Sequence, residues 1–229
     1  MDVHKLLRKP HTAAQISALW TAFHASRSSG TGRGFLSASI PLSTYENLVR
    51  RAKKYSTFIV PLMREAQRTE ALDSGDTQSS YEFFFMQWAF HSAPSIPLPS
   101  LLDEPLPSPP PAPEHPLATV LFTPLLEYKT RTTFATPHLV LTLYPDLARS
   151  HDLVLLRGDL TPSPSGEGRY LLRQQDAQLL ALGMQRFYLA DDTTTQSGER
   201  ERAELLRVFN EKPSDFRWEE LLKHADLTS

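Results

Sequence analysis

Eight histidines stand at positions 4, 11, 24, 91, 115, 138, 151 and 224, and no two have the i, i+4 spacing that sets a pair of metal ligands on one helix face. There is no cysteine among the 229 residues, so thiolate nucleophiles, disulfides and Cys-ligated zinc or iron–sulfur centres are excluded. SGTGRG at 29–34 lacks the Lys-Ser/Thr of a phosphate-binding P-loop and has no strand before it, so it reads as a flexible linker between two helices. No G-x-S-x-G elbow offers a serine nucleophile. The expectation is a chain with no catalytic, cofactor or metal site.

One carboxylate asks more of its surroundings. Glu82 lies in SYEFFFMQW (80–88), where an ionised group needs a cation nearby or a raised pKa. Arg64, Lys129 and Arg157 lie on or near other candidate strands. The readings are an ion pair that fixes strand register, a contact to a partner, or acid–base chemistry. A pocket on the sheet where Glu82, Arg157 and His138 converge would instead mark a small-molecule-binding or hydrolytic protein.

The elements that must position these residues follow from periodicity. Thr12 is a candidate N-cap for a helix carrying Ile16, Leu19, Trp20 and Phe23. Ser43 with Glu46 reads as a capping box for a second helix, buried through Tyr45, Leu48, Val49 and Ala52. Its other side carries Arg50, Arg51, Lys53 and Lys54, a solvated face or a steering patch for an acidic protein surface. TFIVPLM (57–63) is β-branched and apolar, and Pro61 marks it as an edge strand or a bulge. The strand from Tyr81 to about Phe90 is apolar on both faces, which suggests a central strand covered on both sides. From Thr119 alternation continues through Tyr128 with Pro124 in its middle, and HLVLTLY (138–144) and DLVLLRGDL (152–160) are further strands.

The links after Met63 and Tyr144 are too short for crossover helices, so the sheet should be antiparallel. Helices return at 177–187, with Ala177, Leu180, Met184 and Phe187 in one stripe across Gly183, then at 199–210 and after a cap at Ser214. The expected architecture is α+β in a single domain over 1–229, with five to six antiparallel strands. N-terminal helices occupy 12–54, the sheet 57–160 and C-terminal helices 173–225. Ten prolines between Pro94 and Pro116 make that stretch an extended loop insertion, a possible ligand for aromatic-lined domains, and 66–80 reads as a polar loop.

Lys+Arg 24 against Asp+Glu 26 gives a net charge of -2, without the basic excess that draws a protein to nucleic acid or anionic lipid. No apolar run reaches the roughly 20 residues that cross a bilayer. The N-terminal MDVHKLLRKPH has no signal-peptide core.

Seven segments, in order, carry a family resemblance. PLMRE (61–65), YEFFFMQW (81–88), FTPLLEYK (122–129), PHLVLTLYPDLA (137–148), LVLLRGDL (153–160), DAQLLALGMQRFY (176–188) and FNEKPSDFRWEELL (209–222) together resemble the mitochondrial ATP synthase assembly factor 1 family. The resemblance implies a non-enzymatic chaperone, without cofactor and monomeric when free, that works in the mitochondrial matrix. There it would hold the unassembled ATP synthase β subunit, prevent its aggregation and hand it to the α subunit. It points to Arg64, Glu65, Tyr81, Glu82, Phe84, Gln87, Trp88, Glu127, Tyr128, His138, Tyr144 and Arg157 as partner-binding candidates. Two segments depart from the family pattern: 66–80 replaces a tight hairpin, and the proline-rich stretch is longer. No cleavable presequence is evident, which points to a trimmed or incomplete start.

Overall fold

The computed structural model describes residues 11–64, 80–91, 115–166, 168–190 and 197–224. In chain order the principal elements are α1 (Ala13–Ala25), β1 (Phe35–Pro41), α2 (Leu42–Lys54), β2 (Thr57–Arg64), β3 (Ser80–His91), β4 (Leu117–Pro124), α3 (Leu125–Arg131), β5 (Leu139–Tyr144), β6 (Leu153–Leu160), α4 (Gln174–Tyr188), α5 (Ser197–Glu211) and α6 (Trp218–Leu222). The six strands form one sheet in the order β1-β6-β5-β4-β3-β2. Every neighbouring pair is antiparallel. The fold is α+β, as the pattern of elements implies.

Strand alternation gives the sheet two faces. One face buries Phe58, Val60 and Leu62 of β2 beside Phe84, Met86 and Trp88 of β3. Val120 and Phe122 of β4 and Leu139, Leu141 and Leu143 of β5 continue it. Helices α2 and α4 close this core with the stripes read from sequence: Tyr45, Leu48, Val49 and Ala52 from one, Ala177, Leu180, Met184 and Phe187 from the other. Helix α4 lies so close to the sheet that a Cβ on Gly183 would sit 2.7 Å from Val60 Cγ1. The opposite face carries a smaller core, where Ile16 and Trp20 of α1 pack on Leu147, Leu153 and Leu155. The Trp20 indole N–H donates to the Leu156 carbonyl at 2.9 Å. Thr12 caps α1 as expected: its hydroxyl accepts from the Gln15 N–H at 3.3 Å, and the Gln15 side chain accepts from the Thr12 N–H at 3.0 Å.

Several expectations are corrected. Strand β1 lies inside the segment assigned to N-terminal helices, because FLSASIP has only two buried apolar residues, Leu36 and Ile40, to mark it. SGTGRG therefore joins a helix to a strand, and Gly34, at φ +86°, approaches so closely that an added Cβ would strike the Tyr170 ring. The Ser43–Glu46 capping box is absent: α2 begins at Leu42 behind Pro41, with no side-chain cap. Pro124 ends β4 and Leu126 and Tyr128 belong to a helix, because proline's fixed φ suits a helix start better than a continuing ladder. Ser214 lies in a 3-10 turn, and α6 begins behind Arg217 with no side-chain cap. Pro61 does fall on an edge strand. Strand β3 is next to that edge, with Phe84, Met86 and Trp88 buried and Phe83, Phe85 and Gln87 only half-buried. The proline-rich stretch lies outside the described residues except for His115 and Pro116, and 66–80 except for Ser80.

Candidate functional site

The end of the sheet where β2 finishes, β3 starts and β4 turns into α3 gathers six of the residues singled out above: Arg64, Tyr81, Glu82, Glu127, Tyr128 and His138. Arg64 is the last residue of β2 and pairs in register with Ser80, so its side chain shares a face with Glu82. Its guanidinium donates to Glu82 Oε2 through Nε at 2.9 Å and through a terminal nitrogen at 2.5 Å. The remaining terminal nitrogen donates to Asp176 Oδ2, in the first turn of α4. Arg173 Nε donates to the same carboxylate oxygen at 3.1 Å. Burial alone would lower the Arg64 pKa, but the carboxylates of Glu82 and Asp176 outweigh it and the guanidinium is held above its ordinary value. The ion-pair reading of Glu82 thus has its partner in Arg64.

A second polar knot lies beside the first. Glu127, in the first turn of α3, accepts from the Thr136 N–H at 3.1 Å, stands 3.7 Å from His138 Nε2 and pairs with Arg131 at 3.7 Å. Burial lowers the His138 pKa more than the nearby Glu127 carboxylate raises it, so the imidazole stays neutral at pH 7. Tyr128 lays its ring 4.3 Å from that of Phe85, which attaches α3 to the half-covered face of β3.

Between these knots the surface is apolar. A groove of about 320 Å³ runs between β3 and α3, lined by Tyr81, Glu82, Phe83, Pro124, Leu125, Leu126 and Lys129. Met63 is paired with Tyr81 in register, and Trp218 of α6 meets Phe83 edge-on at 6.0 Å. Leu126 is 78% exposed, Trp218 50%, Met63 43%, and Phe134, in the turn after α3, 85%. Side chains this apolar and this open, clustered at one end of a sheet and rimmed by charge, form the kind of surface that binds protein.

The other candidates are placed elsewhere. Phe84 is fully buried in the core. Trp88 is buried against Tyr188, with ring centroids 5.4 Å apart and its indole N–H without a hydrogen-bond partner among the described residues. Gln87 is half-buried in mid-strand. Tyr144 packs on Trp20 at 6.2 Å, under α1. Arg157 binds Asp159 on its own strand, β6, so β5 and β4 separate it from Glu82. Glu82, Arg157 and His138 therefore do not converge on one pocket. Glu65 lies outside the described residues. Leu126, Met63, Phe134 and Trp218 escaped the sequence reading because an exposed apolar residue and a core residue have the same composition. Among the described residues no group of three or more His, Asp or Glu could hold a metal ion. No described helix is long and apolar enough to cross a membrane.

The fold defines an α+β protein built on one antiparallel sheet packed with helices, with an open apolar surface at the β2–β3–α3 end of that sheet. The chain belongs to the ATP11 protein family, whose model matches residues 1–222. It is 30% identical over 227 residues to a Schizosaccharomyces pombe protein named "Protein atp11, mitochondrial", covering 99% of this chain and 61% of the relative. Proteins named "ATP synthase mitochondrial F1 complex assembly factor 1" are 25% identical over 206 residues in Danio rerio and 24% identical over 211 residues in Homo sapiens. Those matches cover 90% and 92% of this chain but 48% and 46% of the relatives, so the chain spans about half to three fifths of the curated relatives' length.

Proposed function

We propose that this chain is an assembly factor for the F1 sector of ATP synthase, acting as a chaperone in the mitochondrial matrix. In this reading it holds the unassembled β subunit, keeps it from aggregating and yields it to the α subunit, without catalysing a reaction or using a cofactor. The names of the Danio rerio and Homo sapiens relatives supply the complex. The observation that carries the reading is the apolar cluster of exposed Met63, Leu126 and Trp218 around the half-buried Phe83, at the charged rim formed by Arg64, Glu82 and Glu127. Subunit surfaces built to be covered by neighbours aggregate when bare, and a holder needs a matching apolar patch small enough for the proper subunit to displace it. Of the twelve residues to which the family resemblance pointed, Arg64, Tyr81, Glu82, Glu127, Tyr128 and His138 are proposed to build or support this face.

The test is co-purification of the chain with isolated β subunit, together with light scattering of the β subunit on heating. A complex that suppresses aggregation, and that dissociates when α subunit is added, is the expected result. Absence of both complex and suppression would overturn the proposal.

A further inference from the structure

The sheet has a second unguarded feature, on the far side from the apolar cluster. Strand β1 is at the edge and, among the described residues, pairs only with β6. The Leu160 N–H donates to the Gly34 carbonyl and the Leu42 N–H to the Asp152 carbonyl, at 2.9 Å each, which sets the even-numbered residues as those bonded to β6. In an antiparallel ladder the intervening residues then direct N–H and C=O away from the partner. These are Phe35, Ser37 and Ser39. The Phe35 carbonyl accepts from the Gln174 side chain, but the backbone groups of Ser37 and Ser39 have no partner among the described residues. Natural edges are normally blunted by inward-pointing charge, a bulge or a covering segment, and FLSASIP has no charged residue.

The edge is not simply open to solvent. It floors a groove of about 500 Å³ whose walls are α1, through Thr21, His24 and Ala25, and α4, through Gln178, Ala181 and Leu182. Among the described residues no Asp, Glu, Lys or Arg lines it, in a chain where 22% of residues are charged. Burial holds the His24 pKa below its ordinary value, so this wall is neutral at pH 7 as well. The charges nearest the groove are the guanidinium groups of Arg27 and Arg157, over the Phe35 ring at 4.8 and 5.7 Å, with Asp159 paired to Arg157. A lysine entering the groove would lose hydration and meet like charge, whereas small apolar or hydroxyl side chains would not.

We infer that β1 receives an uncharged, extended segment of another protein as a seventh strand, paired through the backbone of Ser37 and Ser39 between α1 and α4. Main-chain hydrogen bonds supply the affinity, and the neutral walls select against charged sequences. The site is independent of the apolar cluster at the other end of the sheet.

The probe is a fluorescein-labelled peptide, Gly-Ser-Val-Thr-Val-Thr-Val-Ser-Gly, followed by fluorescence anisotropy, with hydrogen exchange read at Ser37 and Ser39. The expected result is saturable binding with protection of those two amides. Binding should weaken at least tenfold when alternate peptide nitrogens are methylated or when the central valine is replaced by lysine. L182E, at a wall residue 49% exposed, should weaken it to a similar extent with an unchanged Tm. S37P, which deletes an edge-facing N–H that β6 does not use, should do the same. No binding, protection elsewhere, wild-type affinity in both variants, equal affinity for the lysine peptide, or a chain that dimerises through Ser37 would each overturn the inference.

Discussion

Arg64 and Asp176 tie the last residue of β2 to the first turn of α4, so one guanidinium joins an edge strand to the helix that covers the main core. The same guanidinium holds Glu82 of β3, and the three elements are fixed at one corner. Asp176 is buried and Arg64 half-buried. Removing the cation leaves a carboxylate in poor solvent with only the exposed Arg173 beside it. R64A should therefore lose about 2 kcal/mol of stability, less than the full penalty for an orphaned buried charge because Arg173 remains. The Arg64–Glu82 pair is more open, and a double-mutant cycle with E82A should give a coupling of about 1 kcal/mol or less. Urea unfolding of the four proteins measures both.

Gly183 sits mid-helix, where alanine would favour the helix by about 1 kcal/mol through propensity alone. The 2.7 Å approach to Val60 reverses the sign. G183A should be destabilised by roughly 1–2 kcal/mol, since neither the sheet nor α4 can move away without opening the core. V60A alone should be destabilising, but adding it to G183A should recover stability. A double variant less stable than G183A would show that the contact is not what requires glycine. Thermal melts of the three variants decide it.

Sequence periodicity made the buried stripes of α2 and α4 and the succession of strands β2 to β6 along the chain legible, because burial enforces spacing on apolar residues. It missed β1 because a short strand preceded by glycine turns and carrying two serines leaves little apolar pattern. It read α3 as strand because Leu126 and Tyr128 happen to alternate; the signal for a helix start was Pro124. Arg64 was named as one of three partners for Glu82, but which of them binds depends on strand order, and Asp176, more than a hundred residues away, could not be connected to either. The apolar cluster was illegible for a related reason: its members come from β2, β3, α3 and α6, and only the fold shows which of them solvent reaches.

Three histidines should make stability fall with acidity. Burial lowers the pKa of His24, of His138 and of His224 below 6.5, against the smaller opposing effects of a backbone carbonyl at His24, Glu127 at His138 and Glu201 at His224. Near and below pH 6.5 the unfolded chain then binds more protons than the folded one, and stability rises with pH through this window. The Tm should drop by on the order of a few °C between pH 7.5 and 5.5. A variant with glutamine at all three positions should show a flatter profile over that range in differential scanning calorimetry. An undiminished slope would mean that other groups titrate.

The apolar cluster makes the client-holding proposal accountable to particular side chains. Leu126 and Trp218 are at least half exposed, so replacing both by serine removes little buried area and should shift Tm by no more than about 2 °C. If they are the anchors that grip the β subunit, the same double variant should lose tenfold or more in affinity, because a few central apolar residues carry most of the energy of an interface. Leu19 provides the control: it is similarly exposed, but on α1. L19S should therefore hold the β subunit as the unaltered chain does. The salt dependence separates apolar from electrostatic capture. Binding that rests on Leu126 and Trp218 should survive 0.5 M NaCl, whereas binding through the Arg64–Glu82 and Glu127 rim should fade as the Debye length shrinks. Pull-down of purified β subunit by the wild-type chain, L126S/W218S and L19S at two salt concentrations reads all of this. Equal loss in L19S and the double variant would place the contact elsewhere.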